Sequence, residues 1–219
     1  MISLAILTDT PQQGQTYDTP YGLSAPIIPF DIHSSYGNYG LFVCAPTTAD
    51  PCATVQALKD QGVTHLWLCE SVGALSPLLE QGDWLVPDDY IDGTRGQHYT
   101  YFSEKAGGYV QQVPPFDPAS REALITAVKT AAARPFQRGV YVCVSNTRLE
   151  TPAEAQFWTR AGGHVVGRFL SPYLMLAREL EMKVAVLAVV MRMGGAPGEV
   201  LPFQHYEAVI GAALALLGE

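Results

Sequence analysis

The sequence predicts an α/β protein: one three-layer α/β/α domain over residues 1–219, built around a central mixed, mostly parallel sheet. Three observations carry this. Short apolar, β-branched runs alternate with helical segments along the whole chain, the order that lays helices over both faces of a sheet. Two helical segments open on Asp-Pro pairs, Asp50-Pro51 and Asp117-Pro118, where a capping carboxylate precedes a ring already set at a helical φ. No internal repeat, low-complexity tract or linker divides the 219 residues, a length suited to one large core.

Ile2 to Leu7 is a short apolar strand, followed by the turn-rich loop TDTPQQGQTYDTPYG. Leu23 to Phe30 and Tyr39 to Ala45 are the next strand candidates. Pro51 to Gln61 is helical, capped by Asp50 and ended by Gly62. Val63 to Cys69 is a buried strand, and Trp84 to Val86 starts another after the tight Gly82-Asp83 turn. Pro118 to Ala133 is a helix with Asp117 as its cap. Val140 to Val144 and Lys183 to Val190 are β-branched core strands. Pro152 to Ala161 and Pro172 to Leu180 are helices, and the last runs from about Phe203 to Leu217.

Hydrophobic residues make up 48% of the chain and charged residues 16%, as in a well-buried globular protein. A net charge of −8 without a Lys/Arg cluster argues against a nucleic-acid partner, because phosphates would find nothing to neutralise them. The start, MISLAILTDT, lacks the basic segment of a signal peptide, and no apolar run reaches membrane-spanning length. No membrane partner is expected. Cys44, Cys52, Cys69 and Cys143 lack metal-ligand spacing and read as reduced, buried thiols of a cytoplasmic protein.

The segment from Tyr141 to Glu179 is the most informative. It reads as a buried strand, a loop opening on a helix, a short apolar step, then a second loop and helix. Two loops leaving one sheet edge form the usual wall of a small-molecule site.

Several stretches, in order, resemble the nucleoside phosphorylase superfamily, in particular trimeric purine nucleoside phosphorylases and methylthioadenosine phosphorylases. They are Asp18-Thr-Pro-Tyr-Gly22, Ala57-Leu-Lys-Asp-Gln-Gly-Val-Thr-His65, Val72-Gly-Ala-Leu75, Gln81-Gly-Asp83, Asp88-Asp-Tyr-Ile-Asp92, Glu150-Thr-Pro-Ala-Glu154 and Leu176-Ala-Arg-Glu179. The resemblance implies that family's fold and a purine nucleoside or related small anionic ligand. It also implies a homotrimer or a multiple of it, and no cofactor. His98-Tyr-Thr-Tyr-Phe102 is a candidate subunit contact, or equally a packed β-hairpin.

Cleaving a purine N-glycosidic bond develops positive charge on the ribose and negative charge on the purine, while phosphate or water must reach the anomeric carbon. The family holds phosphate with a Gly-rich loop after strand one, an Arg-His segment and a small-residue loop. Here strand one leads into Thr8-Asp-Thr-Pro-Gln-Gln-Gly14, and Pro46-Thr-Thr-Ala-Asp50 stands where Arg-His is expected. The small-residue loop reads Cys69-Glu-Ser-Val-Gly73, so Glu70 faces the place of a phosphate dianion and repels it. Phosphorolysis is not expected from these residues.

Glu70 is the candidate catalytic residue, as a general base on water. Ser71, Leu149, Glu150, Gly167, Arg168, Met191 and His205 are the candidate substrate-binding residues. By resemblance Glu150 sits where a carboxylate binds the purine edge; it also suits an acid that offsets the dipole of the helix after it. Leu149 replaces a stacking aromatic, and Arg148 either pairs with Glu150 or faces solvent. Arg168 replaces a ribose-contacting Met; it either pairs with Glu70 across a closed pocket or receives an anionic ligand. Met191 stands where the family bonds the purine N7 and cannot do so. His205 matches a ribose 5′-hydroxyl contact, or is a surface histidine at a helix start. His33, His65, His98 and His164 lack ligand spacing, so no metal is assigned. Three functions remain open: a nucleoside hydrolase using Glu70, a non-catalytic paralogue that binds ligand or serves as an oligomer subunit, and an enzyme on another small anion clamped by Arg168 and Arg192.

Overall fold

The computed structural model describes residues 2–10, 13–34, 37–96, 100–102, 110–145 and 148–218, with backbone alone for 31–34 and 37–40. His98 and Tyr99 of the expected contact stretch lie outside them. Tyr101, by contrast, turns inward: its hydroxyl donates to the Cys52 carbonyl at 2.8 Å and its ring meets Tyr21 edge-on at 5.0 Å.

In chain order the elements are β1 (Leu4–Thr8), β2 (Asp18–Thr19), β3 (Gly22–Leu23), β4 (Ile27–Ser34), β5 (Gly37–Cys44), α1 (Pro51–Asp60), β6 (His65–Ala74), β7 (Trp84–Leu85), β8 (Asp89–Asp92), α2 (Pro118–Ala131), β9 (Pro135–Phe136), β10 (Val140–Cys143), α3 (Pro152–Arg160), β11 (Val165–Gly167), α4 (Tyr173–Glu179), β12 (Lys183–Met193), a one-turn 3-10 helix (Phe203–His205) and α5 (Glu207–Gly218). The helix starts follow the expected chemistry. Asp50 accepts from Cys52 N and Asp117 from Ser120 N, each followed by proline in the first turn.

One mixed sheet runs β4-β5-β1-β6-β11-β10-β8, with β12 on the other side of β6 and β7 and β9 beyond it. β1 is parallel to β5 and β6, and every one of its residues is buried, as strands covered on both faces must be. Alternation splits the core. Ala5, Leu7, Leu66 and Leu68 pack against α1 and α4. Leu4, Ile6, Trp67 and Cys69 pack on the other face with Leu124 and Val128 of α2 and Ile210 and Leu214 of α5. The three layers are thus those the sequence predicts.

Three boundaries differ, and the first two matter for the site. β6 does not end at Cys69 but continues through Glu70 to Ala74, because β12 pairs with it along its whole length. β12 likewise runs past Val190 to Met193, with a bulge that leaves Met191 unpaired between Val190↔Val72 and Arg192↔Gly73. Leu23 belongs to the β2–β3 hairpin, where Gly22 takes φ 102°, so the long strand starts only at Ile27. β8 was not expected as a strand.

β6 changes neighbours midway. His65 to Cys69 pair with β1, whereas Gly73 and Ala74 pair with the antiparallel β11. Glu70, Ser71 and Val72 lie in the gap where one neighbour has ended and the next has not begun. Such a switch point is where an α/β sheet opens a crevice.

Candidate functional site

Glu70 is fully buried at this switch point. Its Oε2 accepts from the Tyr141 hydroxyl on β10, and its Oε1 accepts from the main-chain N–H of Arg168 at 2.7 Å. Gly167 makes the contact possible: a Cβ there would stand 2.7 Å from Glu70 Oε2 and closer still to the Tyr141 hydroxyl. Burial pushes the Glu70 carboxyl up to about 7; the Tyr141 bond opposes this and the nearby charge of Asp9 adds to it.

The expected ion pair between Glu70 and the Arg168 guanidinium is therefore corrected: the link runs through the Arg168 backbone. Among the described residues the guanidinium forms no hydrogen bond or ion pair; its carbon lies 5.7 Å from the centre of the Phe169 ring. With both oxygens engaged and no exposed surface, Glu70 is also badly placed to act on a water.

Asp9, just after β1, is an acid the sequence reading met only as a neighbour of the phosphate space. Its Oδ2 accepts from the main-chain N–H of Ser71 at 2.8 Å, while its Oδ1 is buried with no partner among the described residues. Burial raises its pKa, and the Ser71 bonds only partly offset that. The Ser71 hydroxyl accepts from Leu201 N at 2.9 Å and lies 3.4 Å from the Tyr206 hydroxyl. The main-chain N–H of Ser71, at the switch point, is thus held by an internal carboxylate.

Glu150 is 4% exposed and Arg192 9%. The Arg192 guanidinium meets the Glu150 carboxylate as a fork: Nη1 donates to Oε1 and Nη2 to Oε2 at 3.2 Å, while Gly195 N adds a bond to Oε1 at 2.8 Å. Burial raises the Glu150 pKa, but the Arg192 and Gly195 donors outweigh it and hold the carboxyl below its ordinary value. Glu150 is not the helix cap: Thr151 caps α3 in a reciprocal box with Glu154. Arg148 pairs with Glu154, both bonds at 2.7 Å, rather than with Glu150. Arg192, expected as a possible anion clamp, is already bound internally.

Four predicted residues meet in one cavity of about 230 Å³: Ser71, Leu149, Arg168 and Met191, joined by Arg192 and Glu199. Gly167 and Glu70 stand behind its wall rather than in it. A second cavity of about 200 Å³ has Glu150 in its wall, with Gly93, Arg148, Glu154 and Trp158. The Glu150–Arg192 pair stands between the two. His205 is not part of either cavity; it is exposed on the 3-10 turn and stacks on Trp84, ring centres 5.6 Å apart and 18° from parallel. Among the described residues no group of three or more His, Cys, Asp or Glu is arranged to hold a metal, and no helix is long and apolar enough to cross a membrane.

The sequence profile of the phosphorylase superfamily matches residues 38–216. An S-methyl-5'-thioadenosine phosphorylase of Thermofilum pendens is 33% identical over 138 residues, covering 63% of this chain and 53% of that protein. A probable S-methyl-5'-thioinosine phosphorylase of Pseudomonas syringae pv. tomato is 31% identical over 190 residues, covering 82% of this chain and 76% of that protein. The match to the Thermofilum pendens relative thus spans about half of that protein's length. Among solved structures, a double mutant of the Schistosoma mansoni adenosine/methylthioadenosine phosphorylase, in complex with adenine, superposes with a TM-score of 0.83. It does so at 21% identity over 100% of this chain and 93% of that one, a likeness of fold.

Proposed function

The chain belongs to the phosphorylase superfamily, and on that premise we propose that it binds a purine nucleoside or a related small anionic ligand at the β6 switch point without phosphorolysis. The observation that carries this reading is the Asp9–Ser71 bond. A phosphate dianion entering there must displace a carboxylate from the Ser71 N–H and sit beside it. At about 4 Å and an effective dielectric near 20, each such pair of like charges costs about 4 kcal/mol. Arg168 supports the anionic ligand: its guanidinium lines the cavity and has no hydrogen-bonded partner among the described residues, so it can take a carboxylate two-pronged.

A second reading, phosphate-independent hydrolysis of a nucleoside, is supported by Asp9 rather than Glu70. Asp9 is less enclosed than Glu70, has a raised pKa and keeps one carboxylate oxygen with no donor among the described residues, which suits a base that takes a proton from water. Met191, which offers no proton to a leaving purine, speaks against it.

Incubation with methylthioadenosine, inosine and adenosine, with and without phosphate, separates the readings. Base release that requires phosphate overturns the proposal. Phosphate-independent release abolished in Asp9→Asn establishes the hydrolase. No release, with calorimetric binding that is lost in Arg168→Met, establishes the binding protein. The homotrimer implied by the family resemblance is tested by light scattering, which a strict monomer would contradict.

A further inference from the structure

Arg192 occupies a slot built for a flat ligand. Its guanidinium lies against Gly73, where a Cβ would stand 2.6 Å from Nη1, so a side chain there would push the flat group away from its place. Val166 closes the same side, 3.0 Å from that hypothetical Cβ. Glu150 meets the edge of the plane with two acceptor oxygens, and Gly195 N–H fixes the carboxylate from behind. Glycine floor, apolar wall and two-oxygen edge together recognise a planar group with two adjacent N–H donors.

We propose that Arg192 is a resident occupant of this slot and the residue that decides ligand size. The bulge at Met191 shifts the register of β12 by one residue and turns Arg192 inward to Glu150. The edge of guanine, N1–H beside N2–H, is chemically the same donor fork as a guanidinium. In the native chain that fork is supplied internally. The open remainder, about 230 Å³, falls below the roughly 300 Å³ at which pockets for drug-sized ligands begin. Removing the Arg192 side chain joins it to the cavity of about 200 Å³ behind Glu150 and brings the whole into that range. In the native chain both Glu150 oxygens are taken by Arg192, so a purine finds no free acceptor edge in this slot, while Arg168 stays available to a small anion. This inference rests on the reading of the site given above and narrows it.

Guanosine binding, measured by calorimetry in phosphate-free buffer, tests it. The wild type is expected to show no saturable heat. Arg192→Ala is expected to bind at least about tenfold more tightly than the wild type. Because Arg192→Ala leaves a buried carboxylate unpaired, Glu150→Gln combined with Arg192→Ala removes that charge while keeping one acceptor; it is expected to bind above the wild type and below Arg192→Ala. Guanidinium ion at low concentration is expected to raise the melting midpoint of Arg192→Ala and not that of the wild type. Wild-type binding equal to that of Arg192→Ala overturns the proposal, as does the absence of binding in whichever variants fold. A rise in the wild-type midpoint with guanosine also overturns it, and needs no variant. None of these arms contains phosphate, so their failure leaves the Asp9–Ser71 reading untouched.

Discussion

Asp9 Oδ2 accepts the main-chain N–H of Ser71 at 2.8 Å, tying the end of β1 to the middle of β6 across the switch point of the sheet. Two acids, Asp9 and Glu70, thus sit together at this switch point. Burial raises the pKa of both, and the charge of Asp9 raises that of Glu70 further. The cavity cation, Arg168, lowers both but is bonded to neither through its guanidinium.

Glu70 sets a pH dependence of stability. Its folded-state pKa is raised from 4.5 to about 7, so below 4.5 it is protonated in both states and contributes no difference. Between 4.5 and about 7 the unfolded chain ionises while the folded chain keeps its proton, and stability falls as pH rises. Above that window the loss is complete, on the order of 3 kcal/mol. Glu70→Gln keeps the acceptor for Arg168 N and removes the titration. Thermal melts are expected to show the variant more stable than the wild type at pH 8 and matching it near pH 4. A variant less stable than the wild type at pH 8 contradicts this.

Tyr141→Phe leaves Glu70 Oε2 without a donor in a fully buried place, a loss of about 1–3 kcal/mol. The loss is expected to grow above pH 7, where the ionised carboxylate gives up a charge-assisted bond. Gly167→Ala crowds both groups with a methyl and is expected to cost about 1–3 kcal/mol or more by overpacking. Urea unfolding of the two variants at pH 6 and pH 8 checks both; a Tyr141→Phe cost that does not change with pH rules out its link to Glu70.

The helices and the layer order were legible because their signals are local. Asp50-Pro51 and Asp117-Pro118 announce helix starts within two residues, and the β-branched run of β12 can only be a core strand. Of the candidate residues, Ser71, Leu149, Arg168 and Met191 line one cavity, which is a matter of proximity. The pairings were not legible. Glu150 and Arg192 lie 42 residues apart, and a one-residue bulge decides whether Arg192 faces Glu150 or solvent. Asp9 and Ser71 are 62 apart, and their bond depends on β6 running on through Glu70, which a buried acid in a strand gives no reason to expect. β8, four residues of mostly polar sequence, carries no apolar alternation to mark it.

α3 buries none of its residues fully, so its stability depends on its N-terminus. Thr151 Oγ1 accepts from Glu154 N at 3.2 Å, and Glu154 accepts from Thr151 N at 2.7 Å. Thr151→Ala is expected to cost about 0.5–2 kcal/mol, concentrated in this helix. Hydrogen exchange should speed up in α3 and stay unchanged in α2; uniform acceleration across the chain contradicts a local role.

Phosphate binding, followed by calorimetry with the wild type and Asp9→Asn, most directly probes whether the internal carboxylate has replaced the external anion. No saturable binding by the wild type at millimolar phosphate is predicted. Saturable binding by the wild type, unchanged when Asp9 is made neutral, would contradict it.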